Sequence, residues 1–96
     1  MTDQLTIALA QINPTVGDLA GNLRGIRIAL KTAADEGADL VVFGELVISG
    51  YSPEDLVLKP AFQEAIEKAV LELADETKNG KPGVLIGTPW LVDGVL

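Results

Sequence analysis

The chain has 96 residues, enough for one small domain, and 48% of it is apolar against only 4% aromatic, so any core must be built from Leu, Ile, Val and Ala. It contains no cysteine and no histidine, which excludes a disulfide framework, a thiolate metal site and a thiol nucleophile and leaves proton transfer to carboxylates, Lys or Tyr. Seven basic residues against fourteen acidic ones give a net charge of −7, poorly suited to nucleic acid or an anionic membrane surface.

Leu5–Ile12 is mostly apolar with β-branched positions and is predicted to be a first strand, stopped by the turn residues of Asn13–Asp18. Asp18 is placed to cap a helix whose apolar positions are Leu19, Leu23, Ile26, Leu30, Ala33 and Ala34, one face at helical spacing. Gly37 is the expected residue just past its end. Leu40–Phe43 is predicted to be a second strand, apolar enough to be buried on both faces. After Tyr51, Ser52-Pro53-Glu54-Asp55 has the composition of a helix start and is expected to open a short helical turn through Leu56, Val57 and Leu58.

Pro60 then begins a longer helix with an inner face of Phe62, Ile66, Ala69, Val70 and Leu73, and with Glu64 and Lys68 spaced as an outer ion pair. Asn79–Gly83 is a breaker. Val84–Val92 carries a third strand signal, interrupted near Pro89, and Trp90 reads as core or interface. Val92-Asp93-Gly94-Val95 is the start of a hairpin, Asp-Gly being a strong turn pair. Strands alternating with helices imply an α/β layered fold. There are no internal repeats and no linkers, and no apolar run approaches the roughly 18 residues of a membrane span. Met1-Thr2-Asp3-Gln4 lacks the basic start and apolar block of a signal peptide, so a cytoplasmic location is expected.

Glu45 is the candidate for chemistry, because it stands just past the end of Leu40–Phe43, and ligands of open α/β sheets bind beyond the carboxyl ends of the strands. The competing reading of such a carboxylate is a solvated loop residue or a cap. Tyr51 alone reads as packing. Glu54 and Asp55 are helix-start residues rather than a metal pair, since adjacent carboxylates without a third oxygen ligand make a poor site. Gly83–Gly87 lacks the lysine and the glycine spacing of a phosphate loop.

Several segments carry a resemblance: Ala8–Asp18 with its Gln-Ile-Asn-Pro, Gly37–Phe43, Glu45-Leu46 with Ser49-Gly50-Tyr51, Pro53–Leu56, and Leu58–Phe62. Along essentially its whole length the chain resembles the N-terminal part of the glutamine amidotransferase domain of glutamine-dependent NAD synthetases, in the nitrilase (carbon–nitrogen hydrolase) superfamily. The resemblance implies a fragment of an α-β-β-α sandwich, with residues 1–96 as a truncated first portion of the domain. It makes Glu45 the general base of a Glu–Lys–Cys triad and puts Tyr51 in the glutamine pocket. A base must convert the thiol to the attacking thiolate, and a carboxylate serves when burial raises its pKa toward the working pH.

Two departures stand out. The family usually has proline before the glutamate, and here Gly44 leaves the geometry less pre-set. The triad lysine and cysteine are absent; Lys59, in a helix-start segment, does not match the family lysine. The chain alone is therefore expected to be inactive. The family function is glutamine hydrolysis supplying ammonia for ATP- and magnesium-dependent amidation of deamido-NAD in a separate domain, so no cofactor is expected in this chain. Unpaired sheet edges and uncovered apolar faces point to a homo-oligomer. The alternatives are a fragment of another nitrilase-superfamily amidase, or a non-catalytic α/β interaction module.

Overall fold

The computed structural model describes residues 3–78, 80 and 82–96. Ile7–Ala10 (β1), Leu40–Phe43 (β2) and Gly83–Leu85 (β3) form one parallel sheet in the order β1-β2-β3. Leu19–Asp35 (α1) joins the first two strands, and Pro60–Thr77 (α2) joins the last two after a 3₁₀ turn over Glu54–Leu58. Asn79 and Lys81 of the expected breaker lie outside the described residues.

Each crossover follows from local chemistry. The Asp18 side chain accepts from the Gly21 N–H at 3.0 Å and caps α1. At the other end Gly37 adopts φ +80°, and its N–H and that of Ala38 donate to Ala34 O and Ala33 O. Pro60 sits in the first turn of α2, where its missing N–H costs nothing. Pro53 precedes the 3₁₀ turn without any side-chain cap, so Ser52 does not play the capping role its position suggested.

Right-handed crossovers that add strands in one direction place successive helices on the same side of a sheet, and both helices share one core here. Leu23, Ile26 and Leu30 of α1 and Ile66, Ala69 and Leu73 of α2 are buried with Val41 and Phe43 of β2. Phe62 and Val70 of the expected inner face are only partly buried against that cluster. The opposite face of the sheet is bare. Ile7, Leu9 and Leu85 are exposed, and Leu40 and Val42 are only half-buried. The expectation that β2 is buried on both faces is thus corrected: one face is covered, because both helices went to the same side.

The outer strands are also shorter than expected. β1 covers four of the eight residues Leu5–Ile12, and β3 starts one residue early and ends at Leu85 rather than running to Val92. Both pair only with β2, and the register Ile7↔Leu40 to Ala10↔Phe43 uses all of its four residues. Val92 and Val95 pair as an antiparallel bridge around Asp93 (φ +50°) and Gly94 (φ +77°), the predicted tight turn. Trp90 is not in the core; it borders a shallow hollow with Pro60, Gln63 and Leu96 at the start of α2.

Arg27 fastens the two helices together, its Nε and Nη2 donating to the Glu76 carboxylate at 2.9 and 2.6 Å. The hydrogen bond to Glu76 raises the Arg27 pKa and lowers that of Glu76. Among the described residues the other ion pairs are Arg27–Glu72, Lys31–Asp35 and Lys78–Asp75, so the predicted Glu64–Lys68 pair is not formed.

Candidate active site

The carboxyl ends of the three strands meet where β2 runs out at Phe43. Gly44 and Glu45 follow, and residues 45–49 form a tight turn closed by the Gly50 N–H donating to Leu46 O at 2.8 Å. The turn requires Leu46 at φ +52° and Gly50 at φ +82°. Glu45 is exposed at the mouth of this turn, while Val47, Ile48, Ser49 and Gly50 behind it are buried. A flexible carboxylate is thereby mounted on a backbone that the core holds.

Two neighbours press on that backbone. On one side lies the loop between β1 and α1. A Cβ at Gly50 would stand 2.6 Å from Val16 Cα, so the backbones touch there and only glycine fits. The Gly17 N–H donates to Ser49 O at 3.0 Å across the same contact. On the other side, beyond β3, a Cβ at Gly87 would stand 2.7 Å from Leu46 N and 3.0 Å from Glu45 Cα. The chain leaving β3 therefore runs against the backbone of Glu45 itself.

Asn22, on the first turn of α1, links the two loops. Its Nδ2 donates to Thr15 O at 2.9 Å and to Ile48 O at 2.8 Å, and its Oδ1 accepts from Thr15 N at 2.8 Å. It is 3% exposed and has no unmet polar atom.

Of the residues singled out in the sequence, Glu45 lies at the strand end as expected. Tyr51 follows the turn and is 68% exposed, so it is free of the core, and the packing reading does not hold. Lys59 is the residue before α2 and is exposed. Gly44 has open space around its missing Cβ and is not in the left-handed region. Sequence reasoning missed Asn22 and Gly87. A signal for Asn22 was present: it lies three residues after Leu19 and four before Ile26, a polar side chain on the apolar stripe of α1. Nothing local in the sequence marks Gly87 as a close-contact glycine rather than a strand residue. Among the described residues no group of three or more His, Asp or Glu comes together in a way that could hold a metal ion.

A family model described as carbon-nitrogen hydrolase matches residues 6–91. The glutamine-dependent NAD(+) synthetase of Thermotoga maritima is 45% identical over 84 residues, covering 88% of this chain and 15% of that protein. The crystal structure of a glutamine-dependent NAD(+) synthetase from Cytophaga hutchinsonii superposes with a TM-score of 0.84 at 28% identity, over 94% of this chain and 15% of that one. A structure of the Acinetobacter baumannii enzyme in complex with ADP superposes with a TM-score of 0.80 at 30% identity, over 91% and 16%. The chain thus spans about 15% of the length of the relatives it matches. On the match over residues 6–91, and with its sheet superposing on those synthetases, the chain belongs to the carbon-nitrogen hydrolase family.

Proposed function

We propose that residues 1–96 form the first portion of a glutamine-hydrolysing domain and that Glu45 is its general base. The observation that carries this is a carboxylate at the end of the central strand, in a Phe-Gly-Glu-Leu segment that lies within the match to the family. The activity served is that of a glutamine-dependent NAD synthetase, the name borne by the relatives.

The chemistry divides between this chain and polypeptide outside it. With no cysteine here, the thiol must come from elsewhere. Glu45 takes the thiol proton as sulfur attacks the side-chain amide carbon of glutamine. When the C–N bond breaks, the same proton passes to the leaving nitrogen, giving ammonia and a thioester. Glu45 then takes a proton from water as it attacks the thioester carbonyl, and glutamate and the thiol are released. A lysine outside this chain stabilises the oxyanion. Tyr51, exposed beside the turn, lines the glutamine pocket. Because Glu45 is exposed here, the desolvated surroundings that suit a carboxylate base must also come from outside.

ATP and magnesium act in a separate synthetase domain outside this chain, as the resemblance to glutamine-dependent NAD synthetases implies. The enzyme works in the cytoplasm as a homo-oligomer.

The test is a chimera in which this chain replaces the matching segment of the Thermotoga maritima enzyme. The chimera is expected to release ammonia from glutamine, and Glu45→Gln is expected to lower the rate by at least about 100-fold, the lower end of the usual general-base range. A Glu45→Gln chimera that keeps its rate would overturn the assignment. The chain alone is expected to release no ammonia; release that depends on Glu45 would refute the division of labour.

A further inference from the structure

The Glu45 turn is held largely through its backbone, and one side chain from another element ties it to the neighbouring loop, with one hydrogen bond to the turn and two to that loop. Asn22 gives both hydrogens of its Nδ2 to main-chain carbonyls, one in each loop, and accepts from a main-chain N–H of the first loop. Its partner Ile48 lies within the turn that Glu45 opens. Around it, the Gly17 N–H donates to Ser49 O, and the glycine at position 50 lets the two backbones meet. A loop residue placed by backbone contacts is placed only as well as those contacts are made, and the buried amide is where they converge.

We propose that Asn22 is a positioning residue for Glu45: its carboxamide locks the 45–50 turn to the Thr15–Asp18 loop and so sets where the carboxylate stands relative to the reacting amide. The proposal rests on the reading of Glu45 as the base. An asparagine that merely completes the core would contribute stability alone. A positioning residue must also change the rate of the bound complex, because a misplacement of about 1 Å at the reacting groups costs about 100-fold.

Asn22→Asp separates these. Aspartate keeps the shape and the oxygen that accepts from Thr15 N, but it has no hydrogens for Thr15 O and Ile48 O and turns a negative oxygen toward a carbonyl. In the chimera with the Thermotoga maritima enzyme, Asn22→Asp is expected to lower kcat for glutamine hydrolysis by about 10- to 100-fold per folded molecule, with KM changed less than about threefold. Should Asn22→Asp not accumulate in folded form, Asn22→Ser, which keeps one donor, is expected to show the same split with a smaller fall. Glu76→Gln serves as the comparison, because it weakens the Arg27–Glu76 pair between the helices and belongs neither to the turn nor to the loop that holds it; its kcat is expected to stay within about twofold of the parent. If the Asn22 variants keep the parent kcat, or lose only what Glu76→Gln loses, Asn22 is structural and the proposal is overturned. If the parent chimera releases no ammonia, or if Glu45→Gln leaves it active, the reading of Glu45 fails instead, and this proposal falls with it.

Discussion

Two glycines flank Glu45, one in sequence and one in space, and the structure gives them opposite meanings. Gly44 precedes it with open space about its missing Cβ, so Gly44→Ala adds bulk to nothing. Its main effect is on the unfolded chain, whose freedom it reduces, and it is expected to leave stability unchanged or raise it by about 0.4–1 kcal/mol. Gly87→Ala puts a methyl 2.7 Å from Leu46 N, against backbone that cannot rotate away. It is expected to cost about 1–3 kcal/mol, as overpacking does, and in the chimera to lower the glutaminase rate as well, because the atoms displaced are those that hold Glu45. Urea midpoints of the two variants give the comparison; a Gly87→Ala protein as stable as Gly44→Ala would show that the strand-exit segment does not press on Glu45. The sequence marked Glu45 because a strand end is a local feature. It did not mark Gly87 or Asn22, because their partners are chosen by the fold: Asn22 meets Ile48 across 26 positions of chain.

The helices were legible for the same local reason. Asp18, Gly37 and Pro60 announce the ends of α1 and α2, and the apolar spacing fixes the faces they bury. What the sequence could not show was which side of the sheet each helix takes, or how long β1 and β3 are once β2 limits them to its own four residues and fewer. Cap and tether give separate predictions. Asp18→Ala removes the acceptor for Gly21 N–H and is expected to cost about 1 kcal/mol at neutral pH, read as a lower urea midpoint; an unchanged midpoint would mean water replaces the cap without loss. The Arg27–Glu76 tether is pH-dependent. Arg27 holds the folded pKa of Glu76 below its unfolded value, so the pair's contribution is complete above the ordinary carboxylate pKa of about 4.3 and is lost as pH falls through the lower folded value. Both side chains are about 40% exposed, which limits the worth of the pair to under about 1 kcal/mol. Glu76→Gln is therefore expected to destabilise the chain slightly at pH 7 and not at all near pH 2. A difference of equal size at both pH values would mean that packing, not charge, joins the helices.

At the scale of the molecule the unfinished feature is the bare side of the sheet. Leu9, Val42 and Leu85 stand side by side in register across three strands, with Ile7 and Leu40 in the next row, and Leu9 is 73% exposed. Contiguous apolar surface of this kind is uncommon on a monomer in water. Both outer strands also leave an unpaired edge. Against association stands the net charge of −7, which makes copies of the chain repel one another. The apolar term is independent of salt, and the repulsion is screened over about 8 Å at physiological ionic strength. The balance therefore has a readable direction. The chain alone is expected to self-associate as its concentration rises, and more so at high salt than at low, as measured by sedimentation equilibrium. Leu9→Lys places a charge on the exposed row without disturbing the buried side, so it is expected to lower the association at every salt concentration while the fold, read by circular dichroism, is kept. Association that weakens with salt, or that Leu9→Lys leaves unchanged, would locate the contact on a charged surface elsewhere. A chain that stays monomeric throughout would mean that the sheet face is too small to overcome the repulsion.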